Sequence, residues 1–279
     1  MRAEVPIGAS REDVWDALTD PRRLEQWFCE HADVDLEAGR YDFWGRYTPD
    51  VPDRDTGRHE LIEVVDGERL RYRWPIRGLD TVVDLSLEDA GEETIVRLVH
   101  ENCPEPSETG TDVPAFWSLV LRHGLRALTE FGVVGAGRFD FTLPTVFDDR
   151  TVVSVDIDAS REHVYGVLVA DLDRQWWVST RAGEIAYDPP GEVSTPFVMD
   201  GYAVSVLTWT LEESGGGARV TLVHSGFGPG EKGNIRGAMG WTDSLWWLKF
   251  LSEFGRRWLE RQERAVIVYS SGSTPVDPR

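Results

Sequence analysis

The chain contains an internal repeat, which constrains its fold more than any other feature of the sequence. The segment Val5–Trp15 (VPIGASREDVW) matches Val155–Tyr165 (VDIDASREHVY) at an offset of 150 residues. Three more motif pairs follow in the same order: Trp27-Phe28 with Trp176-Trp177, Leu98–His100 with Leu222–His224, and Thr129–Gly132 with Ser252–Gly255. Motifs that recur in one order indicate two copies of one structural unit.

The two copies differ in length between their second and third motifs. Trp27 and His100 are 73 residues apart, whereas Trp176 and His224 are 48 apart, so the second copy is 25 residues shorter. A strand pair with its turn has about this length, since strands commonly contain about 5–6 residues. We predict a complete first domain at 1–137, a linker at 138–150, a second domain with a shortened sheet at 151–268 and a polar tail at 269–279.

The pattern of each copy is a strand, helices, further strands and a closing helix. Ser10 and Ser160 each follow an alternating strand and are candidate helix N-caps. Alternation of apolar and polar residues predicts strands at 41–47, 70–76 and 83–87 of the first copy. Each copy closes with a predicted helix of about 20 residues that carries a wide apolar stripe.

These motifs, in this order, resemble the START-like (SRPBCC) superfamily, and the nearest branch is the domain homologous to the activator of the heat-shock chaperone ATPase. The residues that carry the resemblance are Ala9–Trp15, Asp20-Pro21, Leu24–Phe28, Ala38–Phe43, Thr94–His100, Ala159–Glu162, Trp176-Trp177, Val220–Phe227 and Gly240-Trp241. The resemblance implies an α+β fold of two tandem helix-grip domains. In each, a curved antiparallel sheet wraps around the long C-terminal helix.

The resemblance also implies a class of function. Members of the superfamily bind hydrophobic small molecules between sheet and helix, and some are polyketide cyclases or aromatases. We expect this chain to bind an extended or polycyclic molecule, such as a polyketide or polyene-type natural-product intermediate, or a lipid. A cyclase or aromatase and a co-regulator of the chaperone ATPase stay open as alternatives. Because the second copy lacks a strand pair, the two domains could share one elongated cavity.

The expected ligand site is lined by aromatic and aliphatic side chains on the concave sheet face and the closing helix. Aromatic walls suit a flat, conjugated ligand because they offer stacking as well as burial. The predicted lining residues are Phe43, Tyr47, Tyr72, Trp74, Trp117, Leu121, Leu125, Leu207, Trp209, Trp241, Leu245 and Leu248. Arg71 and Arg73 alternate with Tyr72 and Trp74, so we expect them to face solvent.

Catalytic groups are scarce, and the sequence favours a binding protein over an enzyme. His100 and His224 occupy the same place in both copies, which favours a structural role such as capping a loop. They are also the only weak candidates for acid–base chemistry. The remaining histidines have no counterpart in the other copy, and we expect them at the surface: His31, His59, His123 and His163.

The composition excludes several classes of partner. A net charge of −20 disfavours nucleic acid and anionic membranes, which need a positive patch. No Cys/His spacing typical of zinc sites occurs, so we expect no metal and no cofactor. No apolar run approaches the roughly 18 residues of a membrane span, and no signal-peptide core is visible, so we expect a cytoplasmic protein. The internal pseudo-dimer makes a monomer the expected state.

Overall fold

The computed structural model describes residues 1–105, 112–172, 182–198 and 202–268 of the 279-residue chain. It has a mixed α+β fold with large antiparallel sheets, which confirms the predicted fold class. The described residues divide into two compact units: domain 1 comprises residues 1–143 and 260–268, and domain 2 comprises residues 144–259. The predicted Trp176-Trp177 motif and the predicted tail at 269–279 lie outside the described residues.

Thirteen strands occur in the described part of the chain. They are β1 (Arg2–Ile7), β2 (His31–Asp35), β3 (Arg40–Trp44), β4 (Leu61–Val65), β5 (Arg69–Arg73), β6 (Val82–Asp89), β7 (Thr94–Glu101), β8 (Arg150–Ile157), β9 (Ala186–Asp188), β10 (Glu192–Phe197), β11 (Ser205–Ser214), β12 (Gly217–Ser225) and β13 (Val266–Val268). The predicted strand at 41–47 is shorter than expected, because β3 ends at Trp44 and Gly45 follows with φ of 111°. Only glycine adopts that backbone conformation readily, so the alternation of the strand stops there.

The helices are α1 (Arg11–Thr19), α2 (Pro21–Trp27), α3 (Val113–Leu119), α4 (Arg126–Phe131), α5 (Arg161–Asp171), α6 (Ile235–Phe254) and α7 (Arg256–Gln262). Ser10 and Ser160 are the N-caps of α1 and α5, as predicted, and their hydroxyls accept from the backbone amides of Asp13 and His163. In domain 1 the closing helix is one helical stretch made of α3, a π-helical turn at Val120–Leu125 and α4. In domain 2 the closing helix is α6, which is α-helical throughout.

Equivalent antiparallel sheets form in the two domains. In domain 1 the strand order is β13-β1-β7-β6-β5-β4, with a separate hairpin of β2 and β3. In domain 2 the order is β8-β12-β11-β10-β9. The strands β1, β7, β6, β5 and β4 therefore correspond to β8, β12, β11, β10 and β9. Among the residues described, domain 2 has no counterpart of the β2–β3 hairpin, which locates the 25-residue difference between the copies.

One face of each sheet is buried against the closing helix. Along β5, Leu70 and Tyr72 are fully buried, as is Trp74 just beyond the strand. Arg71 and Arg73 lie on the opposite face and pair with Glu101 and with Glu60 and Asp80, which confirms the predicted alternation. The buried face of domain 1 is therefore aromatic, while its outer face carries ion pairs.

The structure divides the chain differently from the prediction. The boundary between the units falls after Leu143, inside the segment predicted as a linker, and the described residues from Glu260 to Val268 belong to domain 1. Strand β13 pairs with β1, so that Ala3 lies opposite Ile267. The side chains of Arg261 and Arg264 both bind the carboxylate of Glu93 on the β6–β7 turn. These contacts explain why the end of the chain belongs to the first unit.

Candidate functional site

Seven rings meet between the sheet and the closing helix of domain 1, and we call them the aromatic cluster. Its members are Phe28, Phe43, His59, Tyr72, Trp74, Phe116 and Trp117. Phe43 and Trp74 meet edge to face with ring centroids 5.2 Å apart, and Trp74 meets Trp117 of α3 at 5.8 Å. Each edge-to-face pair at this spacing stabilises the folded state by about 0.5–1.5 kcal/mol, in addition to the contribution from burying its apolar surface. The cluster therefore links hairpin, sheet and helix.

His59 is the unusual member of the aromatic cluster. It lies two residues before β4, is 3% exposed, and stacks on Phe43 with ring centroids 3.9 Å apart. Neither of its ring nitrogens has a hydrogen-bond partner among the described residues. The backbone carbonyls of Phe43 and Arg73 lie near the ring and raise the pKa of His59, but neither has the geometry of a hydrogen bond with a ring nitrogen. An unpaired buried polar group of this kind costs about 1–3 kcal/mol.

Burial determines the protonation state of His59. It lowers the pKa of the imidazole to about 4, against the weaker opposing effect of the two nearby carbonyls. The ring is therefore neutral at pH 7, with one nitrogen as a donor and the other as an acceptor. Trp74 adds a second unpaired donor, because its indole Nε1 is buried without a partner in the described structure. The centroids of the two rings are 6.0 Å apart.

His100 takes part in a fully paired chain of hydrogen bonds beside the cluster. Thr81 Oγ1 donates its only proton to the carbonyl of Trp74, so it accepts from His100 Nε2 at 2.7 Å. His100 Nδ1 is then the acceptor, and the indole N–H of Trp117 donates to it at 3.0 Å. The chain fixes the neutral tautomer of His100. It ties the end of β7 to β6 and to the closing helix.

Domain 2 repeats this arrangement with equivalent residues. Ser205 Oγ donates to the carbonyl of Phe197 at 3.1 Å and lies 2.7 Å from His224 Nε2. The indole N–H of Trp241 donates to His224 Nδ1 at 3.3 Å. We call this repeated set the histidine relay: Thr81, His100 and Trp117 in domain 1, and Ser205, His224 and Trp241 in domain 2. Phe197 therefore occupies the position of Trp74.

The histidine relay leaves its imidazoles little capacity for acid–base chemistry. Burial is the main reason that the pKa falls to about 3 for His100 and to about 4 for His224. Both nitrogens of each ring are occupied by protein groups, so neither ring has an atom left for a substrate. The geometry assigns His100 and His224 a positioning role, in line with the structural role that their recurrence favoured.

The structure places most of the predicted lining residues in the interiors of the two domains. Phe43, Tyr72, Trp74 and Trp117 belong to the aromatic cluster. The other buried members are Leu121 and Leu125 in domain 1, and Leu207, Trp209, Trp241, Leu245 and Leu248 in domain 2. Whether any of them contacts a ligand stays a prediction.

Tyr47 is the exception among the predicted lining residues. It was assigned to the face of Phe43 by alternation, but β3 ends at Trp44, so the alternation does not reach it. Its ring is half-buried and contacts two guanidinium groups, with Cζ of Arg138 4.7 Å and Cζ of Arg46 5.6 Å from the ring centroid. Cation–π contacts of this kind stabilise a surface ring and do not form part of an apolar wall.

Two of the four histidines expected at the surface are buried, and that prediction was wrong for them. His59 lies in the aromatic cluster, and His123 is 0% exposed within the π-helical turn. His31 and His163 are exposed, as predicted. Residues 45–60 have no hydrophobic period, so periodicity gave no signal for His59. His123 was missed because an α-helical spacing does not describe a π-helical turn.

Other reactive groups in the described residues do not suggest catalysis. Burial raises the pKa of the Cys103 thiol to about 11 and that of Cys29 further, so both thiols are protonated at neutral pH. Within the ranges the structure describes, no three His, Cys, Asp or Glu side chains are grouped so as to hold a metal ion. No described helix is both long enough and apolar enough to cross a membrane.

Comparison with known families identifies a relationship for the first domain. Residues 8–130 match the model of the family described as Activator of Hsp90 ATPase homolog 1-like protein. The match begins at the end of β1 and extends into α4, so it lies within domain 1. The resemblance inferred from the motifs of the first copy is confirmed. A search of curated protein sequences gives no significant match.

Several solved structures are similar to this chain at low sequence identity. DynU16, a protein of the dynemicin biosynthetic locus, is 18% identical over 92% of this chain and 98% of its own, with a TM-score of 0.37. CalU16 from Micromonospora echinospora is 23% identical over 46% of this chain and 71% of its own, with a TM-score of 0.35. The Aha1 dimer from Colwellia psychrerythraea is 21% identical over 47% of this chain and 96% of its own, with a TM-score of 0.37.

Proposed function

We propose that the chain binds a hydrophobic small molecule in domain 1, between the aromatic face of its sheet and the closing helix. One observation carries the proposal: three ring nitrogens of His59 and Trp74 are buried in the aromatic cluster and have no partner among the residues that the structure describes. More than nine in ten buried polar groups in proteins are paired. Two neighbouring unpaired rings in one interior are therefore better explained by a ligand than by packing.

The two domains differ in what supports this proposal. Domain 1 has the β2–β3 hairpin, with Phe43, and the following segment, with His59. In the described part of domain 2 that hairpin has no counterpart, and Phe197, which has no polar ring atom, replaces Trp74. Both interiors retain the histidine relay. Domain 2 thus keeps the fold-supporting residues without the residues that distinguish the candidate site.

The rings of the aromatic cluster contact one another, so ligand binding exchanges ring–ring contacts for ring–ligand contacts. A flat tricyclic molecule that buries about 300 Å² gains about 7 kcal/mol at roughly 25 cal/mol per Å². Because the ring–ring contacts that are lost and the entropy of association oppose this gain, the corresponding Kd of about 10 μM is the tightest affinity expected for such a probe. Affinity in the micromolar range is therefore expected for an unspecialised planar probe.

The proposal is tested by equilibrium dialysis of the full chain against fluorene. We expect one saturable site. Phe43→Leu removes a ring of the aromatic cluster and should weaken binding about 3- to 10-fold, the equivalent of one aromatic contact. Phe197→Leu in domain 2 is the matched control and should change the affinity less than twofold. Absence of saturable binding, or a larger effect of Phe197→Leu, would overturn the proposal.

The family match of domain 1 favours a second candidate, a co-regulator of a chaperone ATPase. Such a protein would act through its surface and would need no ligand in the aromatic cluster. The ATP hydrolysis rate of purified Hsp90, measured with and without the full chain, tests it. A several-fold stimulation of the hydrolysis rate that Phe43→Leu does not change would favour this candidate.

The third alternative, a polyketide cyclase or aromatase, requires that a bound molecule be released with a changed structure.

A further inference from the structure

We infer that the ligand of domain 1 is a neutral, planar molecule with a carbonyl oxygen, which accepts hydrogen bonds from Trp74 and His59. This inference rests on the proposed function and specifies the chemistry of the same site. It follows from the donors and acceptors that the aromatic cluster leaves unused, from the spacing of the two rings and from the charges around them.

The unused groups are mostly donors. An indole N–H can only donate, and a neutral imidazole has one donor and one acceptor. Trp74 and His59 therefore present two donors and one acceptor to the interior. A carbonyl oxygen has two lone pairs, so a single ligand oxygen can satisfy both donors.

The spacing of the rings fits one shared oxygen. Their centroids are 6.0 Å apart, and each N–H···O bond spans about 2.9 Å between heavy atoms. The planes of the two rings meet at an angle of 67°, and Phe43 contacts both of them, with ring centroids 3.9 Å from His59 and 5.2 Å from Trp74. Aromatic rings on the neighbouring positions favour a flat ligand, because its faces can then pack against rings.

The charges favour a neutral ligand over an anion. His59 is uncharged at pH 7, and the arginines beside it on β5, Arg71 and Arg73, are engaged by carboxylates on the opposite face of the sheet. Among the described residues, the other ionisable side chains beside the cluster are Tyr41, Tyr72, His100 and Asp42, whose carboxylate accepts from the backbone amide of His59. None of these supplies a positive charge at neutral pH. A buried carboxylate would therefore remain without a counter-ion, which is costly.

Trp74 and His59 also offer clean substitutions. Trp74→Phe introduces the residue that domain 2 has at the same position, where the histidine relay is intact. His59→Phe keeps a flat aromatic ring on Phe43, slightly larger than the imidazole, and removes both nitrogen atoms. Two surface substitutions in the same domain serve as controls, Trp44→Phe and His31→Phe, because neither residue belongs to the aromatic cluster.

The experiment compares fluorene with 9-fluorenone, which has the same ring system and one carbonyl group, by equilibrium dialysis against the full chain. We expect fluorenone to bind about 10-fold more tightly, the equivalent of about 1.4 kcal/mol. Trp74→Phe and His59→Phe should each reduce this ratio to about 3 or less; the ratio is the readout because any loss of ring contact affects fluorene and fluorenone alike. Trp44→Phe and His31→Phe should leave the ratio at its wild-type value. Fluorenone-2-carboxylate should bind at least about 10-fold more weakly than fluorenone.

Each other outcome has a definite meaning. Equal binding of fluorene and fluorenone to the wild type would overturn the carbonyl inference and leave the proposed function standing. A preference for fluorenone that survives both Trp74→Phe and His59→Phe would overturn the assignment to these two residues. Tighter binding of the carboxylate would overturn the neutral class. Failure of fluorene to bind at all would remove the proposed function itself, and the inference with it.

Discussion

The two domains share one polar arrangement at the residue scale and differ in another. The histidine relay is present in both, with the same sequence of donors and acceptors. His59 and Trp74, which have unpaired nitrogens, belong to domain 1. A paired buried polar group stabilises its surroundings, whereas an unpaired one is a stability cost that a function can justify. Both copies thus retain the histidine relay, which supports the fold, and domain 1 also contains the unpaired nitrogens of the candidate binding site.

The histidine relay should contribute measurable stability in both domains. Thr81→Val keeps the shape of the side chain but leaves the Nε2–H of His100 and the carbonyl of Trp74 without a partner. We expect a loss of about 1–3 kcal/mol in the free energy of unfolding of domain 1. Ser205→Ala should have a similar effect on domain 2. Urea denaturation followed by circular dichroism measures both changes.

The control for this prediction is Thr221→Val. Its hydroxyl pairs with Ser154 on the exposed face of the domain 2 sheet, so its loss should cost less than about 0.5 kcal/mol. If Thr81→Val cost no more than Thr221→Val, the relay would not be a stabilising element.

His59→Phe should make the protein more stable while it weakens binding. Replacing an unpaired imidazole by an apolar ring of similar shape removes a desolvation cost, so we expect a gain of about 1–3 kcal/mol. Thermal unfolding of the full chain, without ligand, measures it. A loss of stability would indicate that the His59 nitrogens have partners in solution, and the premise of the candidate site would fail.

The buried histidines also predict how stability depends on pH. The unfolded imidazole has a pKa of about 6.5, and burial lowers that of His59 to about 4, so the unfolded chain binds more protons between these values. Stability is therefore fully present above about pH 6.5 and falls as the pH is lowered toward 4. For one such group the loss between pH 7 and pH 5 is about 2 kcal/mol.

Comparison of variants separates this contribution from that of other groups. His59→Phe should have a shallower decline in the urea midpoint between pH 7 and pH 5 than the wild type. His31→Phe, which removes an exposed histidine, should decline as the wild type does. Identical slopes for the wild type and His59→Phe would contradict the lowered pKa.

At the element scale, the closing helix of domain 1 contains one more residue than its counterpart. Trp117 and Glu130 are 13 residues apart, whereas Trp241 and Glu253 are 12 apart. Both ends are fixed: the tryptophans join the histidine relay, and the glutamates accept from the backbone amides of Gly8 and Asp158. An extra residue between fixed ends must widen a turn, and the π-helical turn at Val120–Leu125 contains it.

The π-helical turn depends on Gly124. A Cβ there would lie 3.0 Å from the carbonyl oxygen of Trp27 and 3.1 Å from that of Ala136, so Gly124→Ala should cost about 1–3 kcal/mol by overpacking. Gly166 in α5 has open space around it, and Gly166→Ala should instead gain about 1 kcal/mol from helix propensity. Thermal unfolding compares the two. A stabilising Gly124→Ala would contradict the close approach of the π-helical turn to α2.

The elements themselves could be predicted where their pattern is local. The serine N-caps and the closing helix of domain 2 follow from short-range spacing and appear where expected. The strand predicted at 70–76 is present as β5 but ends at Arg73. The predicted alternation does not reach Tyr47, because β3 ends at Trp44 and the backbone conformation of Gly45 is not part of a hydrophobic pattern. The π-helical turn was missed because its cause is a difference of one residue between two copies held at both ends.

At the scale of the whole molecule, the repeat predicts two domains, but it does not predict that the chain returns to domain 1 after the second copy. Strand β13 completes the sheet of domain 1, and Arg126 in the closing helix of that domain donates to Gln262 at 3.1 Å. This segment follows the second copy in sequence, so the repeat pattern predicts that it belongs to domain 2. Its three-residue strand is held by pairing and ion contacts with distant residues, which no local pattern reveals.

The central claim is that one of the two domains binds a hydrophobic molecule. Native mass spectrometry of the full chain after incubation with a lipophilic cell extract tests it most directly. We expect a single adduct per chain, absent or strongly reduced in a Phe43→Leu, Trp74→Phe double variant and retained in Phe197→Leu. The released molecule should have the same mass as in the extract. No adduct, two adducts per chain, or an adduct that persists in the double variant would contradict the account.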